Sequence, residues 1–367
     1  MKLFVLGACA DMAAPVLPLL ASEGDVEQVR LGDLDGAKAK TLAARLGPRF
    51  DAIGIDANDH ARLVTQVRGY DVVLGYVGPF YHFERRIAEA CIEAGVHYVS
   101  ISDDYDAFLA VIELDAAARE AGVTVISGLG NSPGLTNLLA RKGYESMDKP
   151  ERIHIAWTGG SDEPVGPANV KHVMHIFEGR TLQWLDGREA WVKCGAGEKF
   201  VDFPAPIGRQ TVFYTGHAES VAVPRTCKGL KEVTLHGGVR PVWVARLATA
   251  FGKAGLTTSH RKREIVAKVL SPMMGVFSVG GTADKSVFRI DAYGSHQGQP
   301  RHHWYTGVGH IAEITSWPLL EGALAVGRGE VKRRGVFSAE GILSPDDFLP
   351  RVQKRGLELE FHEGPDA

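Results

Sequence analysis

Hydrophobic residues in the first third of the chain come in short continuous runs rather than in alternation. Runs at 3–6, 28–32, 51–55, 71–77, 96–101 and 122–127 predict strands buried on both faces. Between them, at 12–22, 36–46, 59–67, 83–94 and 106–121, apolar residues recur at helical spacing. This βαβα rhythm predicts an α/β fold with a Rossmann-type doubly wound parallel sheet and ligands at the carboxyl ends of its strands. Beyond Arg152 the pattern changes. Alternating and aromatic segments at 153–158, 210–215, 232–236 and 286–293 are punctuated by Gly and Pro, and helical runs lie at 241–250 and 261–273. A second α+β domain with a mixed sheet follows. A helical pattern at 310–327 bends at Pro318, the segments 335–336 and 348–355 follow it, and 363–367 are expected to fray. The expected division is 1–137 and 138–306, with 307–355 packing back on the first domain.

The strand ends carry the candidate chemistry. The first strand runs into Gly7, followed at three-residue steps by Ala10 and Ala13. Small residues there would let backbone N–H groups of a turn that includes Asp11 and Met12 approach a pyrophosphate, with a helix N-terminus behind them. A stricter glycine pattern would place glycine where Cys9 and Met12 stand. Cys9 itself is either a reactive thiol or a small filler. Asp33 ends the second strand, twenty residues past Ala13, where a carboxylate accepts hydrogen bonds from a ribose; the alternative is a helix N-cap. Leu34-Asp35-Gly36 supplies no arginine for a 2′-phosphate, so NAD is expected over NADP. Asp56 and Ala57 would reach the adenine edge, or else Asp56 is a turn residue. Gly78, Pro79 and Phe80 end a very apolar strand where the nicotinamide half would pass. The loop 128–137, with Asn131, Pro133 and Gly134, would offer N–H groups to a carboxamide or carboxylate.

Composition narrows the class without changing the picture. With 367 residues, two domains are expected; the net charge of -3 gives no global pull toward nucleic acid or membrane. Cys9, Cys91, Cys194 and Cys227 show no metal-like spacing, which suits reduced thiols, and no metal is expected. His302 and His303 are adjacent and on a strand would point opposite ways. The N-terminal run does not read as a signal peptide and no stretch is apolar enough to span a bilayer, so a cytoplasmic protein is expected.

These stretches together resemble the saccharopine dehydrogenase-like family, which includes saccharopine reductases, lysine 6-dehydrogenase-like enzymes and carboxynorspermidine dehydrogenases. The resemblance rests on the GACADMA turn after the first strand, GPFYHF at 78–83, HYVSISDD at 97–104 and GLGNSPGLTNLLA at 128–140. GHAESVAVPR at 216–225 and the segment 335–359 extend it. It implies a Rossmann domain, a second domain carrying substrate and dimer contacts, a homodimer, and NAD(P)-linked hydride transfer at a carbon–nitrogen bond of an amino acid or polyamine. Ser100 stands where family members often carry an aspartate.

Such a reaction needs an acid or base and a grip on carboxylates. His217, Glu219 and Asp104 are the acid/base candidates, with Asp103, Tyr81 and His82 competing near the nicotinamide turn. Tyr81, Arg225, Arg240 and Arg301 are the substrate candidates. The run 301–305 lines a cleft or forms an edge strand's solvated face. His260-Arg261-Lys262-Arg263 is a phosphate patch or a solvated helix start. Two other readings stand beside the enzyme: a non-catalytic dinucleotide sensor on the same fold, and a carbonyl reductase, although no Y-x-x-x-K pair follows a serine strand in the first domain.

Overall fold

The computed structural model describes residues 1–160, 167–274 and 285–364. Contacts divide the chain into two compact units, residues 1–135 with 312–343, and residues 136–311 with 344–367. In chain order the first unit is built from β1 (Lys2–Leu6), α1 (Val16–Ser22), β2 (Gln28–Asp33), α2 (Gly36–Leu46), β3 (Phe50–Gly54) and α3 (His60–Val67). It continues through β4 (Val72–Gly75), α4 (Phe80–Ala94), β5 (His97–Ser100), α5 (Tyr105–Ile112), α6 (Asp115–Glu120) and β6 (Thr124–Ile126). The second unit takes α7 (Leu135–Glu145), β7 (Lys149–Gly159), α8 (Pro167–Ile176), β8 (Arg180–Leu185), β9 (Arg188–Lys193), β10 (Lys199–Asp202) and β11 (Arg209–Tyr214). It goes on with α9 (Glu219–Thr226), β12 (Glu232–Val239), α10 (Trp243–Lys253), α11 (His260–Met274), β13 (Ser286–His296) and β14 (Gln299–Gly309). Next, α12 (Ile311–Gly327), β15 (Gly335–Phe337) and α13 (Ala339–Ile342) belong to the first unit, while α14 (Pro345–Arg355) and β16 (Glu358–Gly364) belong to the second. Residues 344–355, expected with the first unit, therefore cluster with the second.

The first unit is a parallel sheet in the order β15-β6-β5-β4-β1-β2-β3. Central β1 explains the continuous apolar run: Leu3, Phe4 and Val5 are wholly buried, as a strand covered on both faces must be. Two helices differ from their sequence patterns. The run 12–22 starts as a 3-10 turn (Asp11–Ala13), and α1 begins only at Val16, because Pro15 has no N–H to continue the turn. The run 106–121 breaks into α5 and α6 at Leu114, whose ψ is near 0°.

One buried acid organises the ends of β5 and β6. Glu84 on α4 is wholly buried and accepts from Tyr98 Oη (2.8 Å), Ser100 Oγ (2.5 Å) and Ser127 Oγ (2.8 Å). Ser100, where the family often has an aspartate, is thus a donor to another carboxylate.

The second unit's main sheet runs β10-β11-β12-β7-β13-β14-β16, with β8 pairing β12 and β9. Two hairpins there turn on residues with positive φ: Asp186-Gly187 joins β8 to β9 and Gln297-Gly298 joins β13 to β14. The run 301–305 is not an edge strand: β14 lies between β13 and β16. Nor do residues 363–364 fray, because they complete β16 opposite His303 and His302; residues 365–367 lie outside the described residues.

Burial raises the Glu84 pKa above its ordinary value, against the lowering pull of its three hydroxyl donors. A raised folded-state pKa means that the folded chain binds more protons, so Glu84 costs stability as pH rises through the unfolded carboxylate range. Glu84→Gln should become progressively more stable relative to wild type from about pH 4 upward, levelling off above the folded pKa. Glu84→Ala, which orphans three hydroxyls and leaves a cavity, should lose about 2–4 kcal/mol at neutral pH. Chemical denaturation across pH checks both, and a pH-independent difference for Glu84→Gln would refute the assignment.

Candidate functional site

The turn after β1 is held by backbone and by one carboxylate. Gly7 has φ +82°, and a Cβ there would meet the Tyr76 backbone at 2.9 Å, so the position demands glycine. Its N–H donates to the Gly32 carbonyl (2.8 Å), and the Ala10 N–H to the Gly7 carbonyl (3.0 Å). Ala10 is half-buried, Asp11 exposed, and the Met12 carbonyl accepts from Ser316 Oγ. Asp33 closes the turn: one oxygen accepts from the Cys9 N–H (2.8 Å), the other from the Asp35 N–H (3.0 Å). The N-cap of α2 is Asp35, which accepts from the Lys38 N–H (2.9 Å), so Asp33 is not the cap. α1 starts only at Val16, and the N–H groups of Gly7, Ala8, Cys9 and Ala10 all donate within the protein.

Lys38 was missed in the sequence. Its ammonium donates to the Cys9 carbonyl at 3.2 Å, bringing a cation to the turn that Asp33 closes. The Cys9 thiol between them is pushed up to about 11 by burial; Asp33 raises it further and Lys38 opposes. The only signal was a lysine one turn into α2, five residues past Asp33.

Other expected residues sort themselves. Leu34 is exposed, at 77 %, beside the turn. Asp56 is an exposed turn residue whose Oδ1 accepts from the N–H and Nδ2 of Asn58, and Ala57 packs into the core behind it. Gly78 and Pro79, joined by a cis peptide bond, precede α4, which Phe80 opens. Wholly buried Asp104 accepts from the Tyr81 N–H (2.8 Å) and so caps the start of α4. The 128–137 loop is less open than expected. Leu129 donates to Ser100, Gly130 to Pro133, and Leu135 to Gly130, all through backbone. Pro133 precedes α7. Two polar atoms remain over: Asn131 Oδ1 and Ser102 Oγ are buried with no hydrogen-bond partner among the described residues. A carboxamide or hydroxyl arriving at the ends of β5 and β6 would satisfy them.

In the second unit His217 and Glu219 do come together. Both are buried, with His217 Nδ1 3.9 Å from Glu219 Oε2. His217 stacks on Trp157 at 4.9 Å, and its Nε2 lies 3.1 Å from Nε2 of His172 on α8. Glu219 Oε1 accepts from Thr136 Oγ1 (2.9 Å). His172 carried no motif and was missed. The arginines do not join this cluster. Arg225 is exposed and pairs with Glu189 (3.1 Å), Arg240 donates to the Lys285 carbonyl, and Arg301 pairs with Glu363 (2.6 Å). His302 and His303 point to opposite faces, to Asp291 (2.7 Å) and Ser146 (2.8 Å). A cleft of about 310 Å³ beside His303 is closed on itself chemically, since Lys142 there pairs with Asp346.

The family model described as the saccharopine dehydrogenase NADP binding domain matches residues 3–126. Over these residues the chain is similar to the saccharopine dehydrogenase family. A saccharopine dehydrogenase [NADP(+), L-glutamate-forming] of Pyricularia oryzae is 29 % identical over 161 residues, covering 41 % of this chain and 34 % of that protein. The mitochondrial alpha-aminoadipic semialdehyde synthase of Bos taurus is 25 % identical over 285 residues, covering 70 % of this chain and 28 % of that protein. The matches thus span about a third of the length of these curated relatives. The apo saccharopine dehydrogenase (L-Glu forming) of Saccharomyces cerevisiae shares the fold, with TM-score 0.71, 16 % identity and 99 % of each chain covered. Residues 3–126, all in the first unit, thus match an NADP-binding domain, and the two orphaned polar atoms fit such a group.

If the Cys9 thiol sits about two units above the ordinary 9.0, it should alkylate about a hundredfold more slowly than a free cysteine at pH 7.5, and faster as pH rises. Mass-spectrometric timing of iodoacetamide labelling checks this; labelling at the free-cysteine rate would contradict it.

Proposed function

We propose that the chain is an NAD(P)-linked oxidoreductase transferring hydride at a carbon–nitrogen bond of an amino acid of the saccharopine or lysine type. The observation that carries this reading is the Gly7 turn closed by Asp33, inside a domain matched to the family. The cofactor would supply the hydride acceptor or donor. The residues proposed to hold it are Gly7, Ala10, Asp11 and Met12 of the turn, then Asp33 and Leu34, with Gly78, Pro79, Phe80, Asn131, Pro133 and Gly134 toward the nicotinamide.

For the cofactor the proposal is NADP, in place of the NAD that the missing arginine suggested. Both Asp33 oxygens already accept backbone N–H groups, and Lys38 adds a cation at the same turn. The names of the fungal relatives point the same way.

Oxidising a secondary amine removes hydride from carbon and a proton from nitrogen; the imine then takes up water and splits. His217 is the proposed acid/base, with His172 as the residue that shares its proton through the Nε2–Nε2 contact and Glu219 holding the far side of the ring. Tyr81 stays a substrate candidate. Arg225 and Arg301, each paired with a glutamate, would have to exchange that partner for a substrate carboxylate.

A homodimer is proposed through the half-exposed sheet face where Arg152, Tyr293, His302, Trp304 and His362 stack in succession. Arg152 and Arg289 share that face with Glu358 and Glu360, so it is charge-complementary to itself. Sedimentation velocity should then read twice 39.6 kDa at micromolar concentration; a monomer would refute the dimer.

Purified protein with NADP and saccharopine, lysine or polyamine-type amines at high pH should generate reduced cofactor. Tight cofactor binding with no turnover on any amine would favour the sensor. Lys38→Ala should raise KM for NADPH at least tenfold and leave NADH within about twofold. Equal loss with both cofactors would contradict the NADP assignment.

A further inference from the structure

Five of the nine exposed large hydrophobic side chains recorded among the described residues fall between 243 and 269: Trp243, Leu247, Leu256, Ile265 and Val269. Trp243 and Leu247 stand on α10, Ile265 and Val269 on α11, and Leu256 on the segment between; both helices pack against α8. On α10 the inward side is Ala245 and Ala248, set into a cluster with Ile176, Phe177 and Phe213. Its outward side repeats at helical spacing, Trp243, Arg246, Leu247, Ala250, Lys253. On α11, Arg263 turns inward to Glu178 (3.3 Å), while Arg261, Lys262, Ile265, Lys268 and Val269 face out.

The same stretch is a charge island. Residues 243–274 hold six Lys or Arg against one acid, Glu264, a net +5 in a chain whose total is -3. The anions facing it are few: Glu198 pairs with Arg246 (3.2 Å), and Glu264 lies 4.0 Å from Lys268. Lys262 tops the preceding turn through the Gly255 carbonyl (2.7 Å).

From this we infer that α10 and α11 form a peripheral docking surface for an anionic lipid bilayer. Charge complementarity argues for the anionic partner, and the exposed aliphatic and indole side chains among the cations argue for one with an apolar phase beneath its charge. A polyanion such as a nucleic acid would leave Ile265 and Val269 in water. The basic run 260–263 is thereby neither a phosphate pocket nor a merely solvated helix start. No described helix is long and apolar enough to cross a membrane, and surface docking needs none. The inference is independent of the proposed oxidoreductase activity.

The test is vesicle co-sedimentation of the full chain at 0.1 M salt, with phosphatidylcholine vesicles alone or carrying 30 % phosphatidylglycerol. Wild type should bind the anionic vesicles at least tenfold more strongly than the neutral ones, and lose that preference at 0.5 M salt. Ile265→Asp/Val269→Asp and Arg261→Glu/Lys262→Glu/Lys268→Glu should each reduce binding at least tenfold, at an unchanged melting temperature. Because these positions are exposed, folding should survive, and Leu247→Asp on the neighbouring helix gives a separate reading of the same surface. No vesicle binding by wild type, binding unchanged in all three variants, binding to duplex DNA instead of vesicles, or self-association abolished by these variants would each overturn the proposal.

Discussion

The first unit depends on where one carboxylate sends its lone pairs. Asp33 accepts the N–H groups of Cys9 and Asp35, so the loop leaving β1 and the entry to α2 are fixed to the end of β2. Hydrogen bonds to a charged group contribute about 1.5–3 kcal/mol each, enough to hold a loop whose alternatives are many. Gly7 completes the constraint: its positive φ and the Tyr76 backbone 2.9 Å from any Cβ leave the chain one way round the corner. Asp33 is thus part of the architecture before it is a ligand for anything.

The other half of the sheet uses carboxylates in the same manner but under deeper burial. Glu84 is satisfied only by hydroxyls, and Asp104 is committed to the start of α4. Asp104 also raises the Glu84 pKa, which is what two acids at neighbouring strand ends should do to each other. Asn131 Oδ1 and Ser102 Oγ remain at those ends as buried neutral groups. They present an amide and a hydroxyl oxygen to a ligand. In the second unit His217 and Glu219 are buried and His172 is half-buried beside them.

The first unit was largely legible because local signals suffice for it. Continuous apolar runs give parallel strands, and Gly7 and Asp33 sit at chain positions fixed by one βαβ step. The second unit was legible in class but not in detail. The Asp186-Gly187 and Gln297-Gly298 turns mark hairpins, yet β9 and β16 went unread because charged residues recur along them and their apolar positions are few. The histidine pair could not be read at all: His172 and His217 stand forty-five residues apart, on a helix and before another, and only the tertiary fold sets them 3.1 Å from each other. The arginines misled for the converse reason. Sequence supplies a cation without saying that Glu189 or Glu363 waits beside it.

Lys38 shows why position in space outweighs position in a motif. Reading for an arginine directly after Asp33 tests only the loop 34–36, whereas α2 doubles back and carries its first-turn side chains over the β1 turn. A lysine there stands on the same carbonyl that Asp33 organises, without occupying any motif position. A carboxylate that repels a 2′-phosphate must present free lone pairs to it; one whose oxygens already accept two backbone N–H groups presents a smaller field, which a neighbouring ammonium opposes further. On the proposed NADP reading, the preference between the two cofactors is a balance of two charges set by the path of the backbone, and Lys38, whose partner is a carbonyl rather than the acid itself, would tip it.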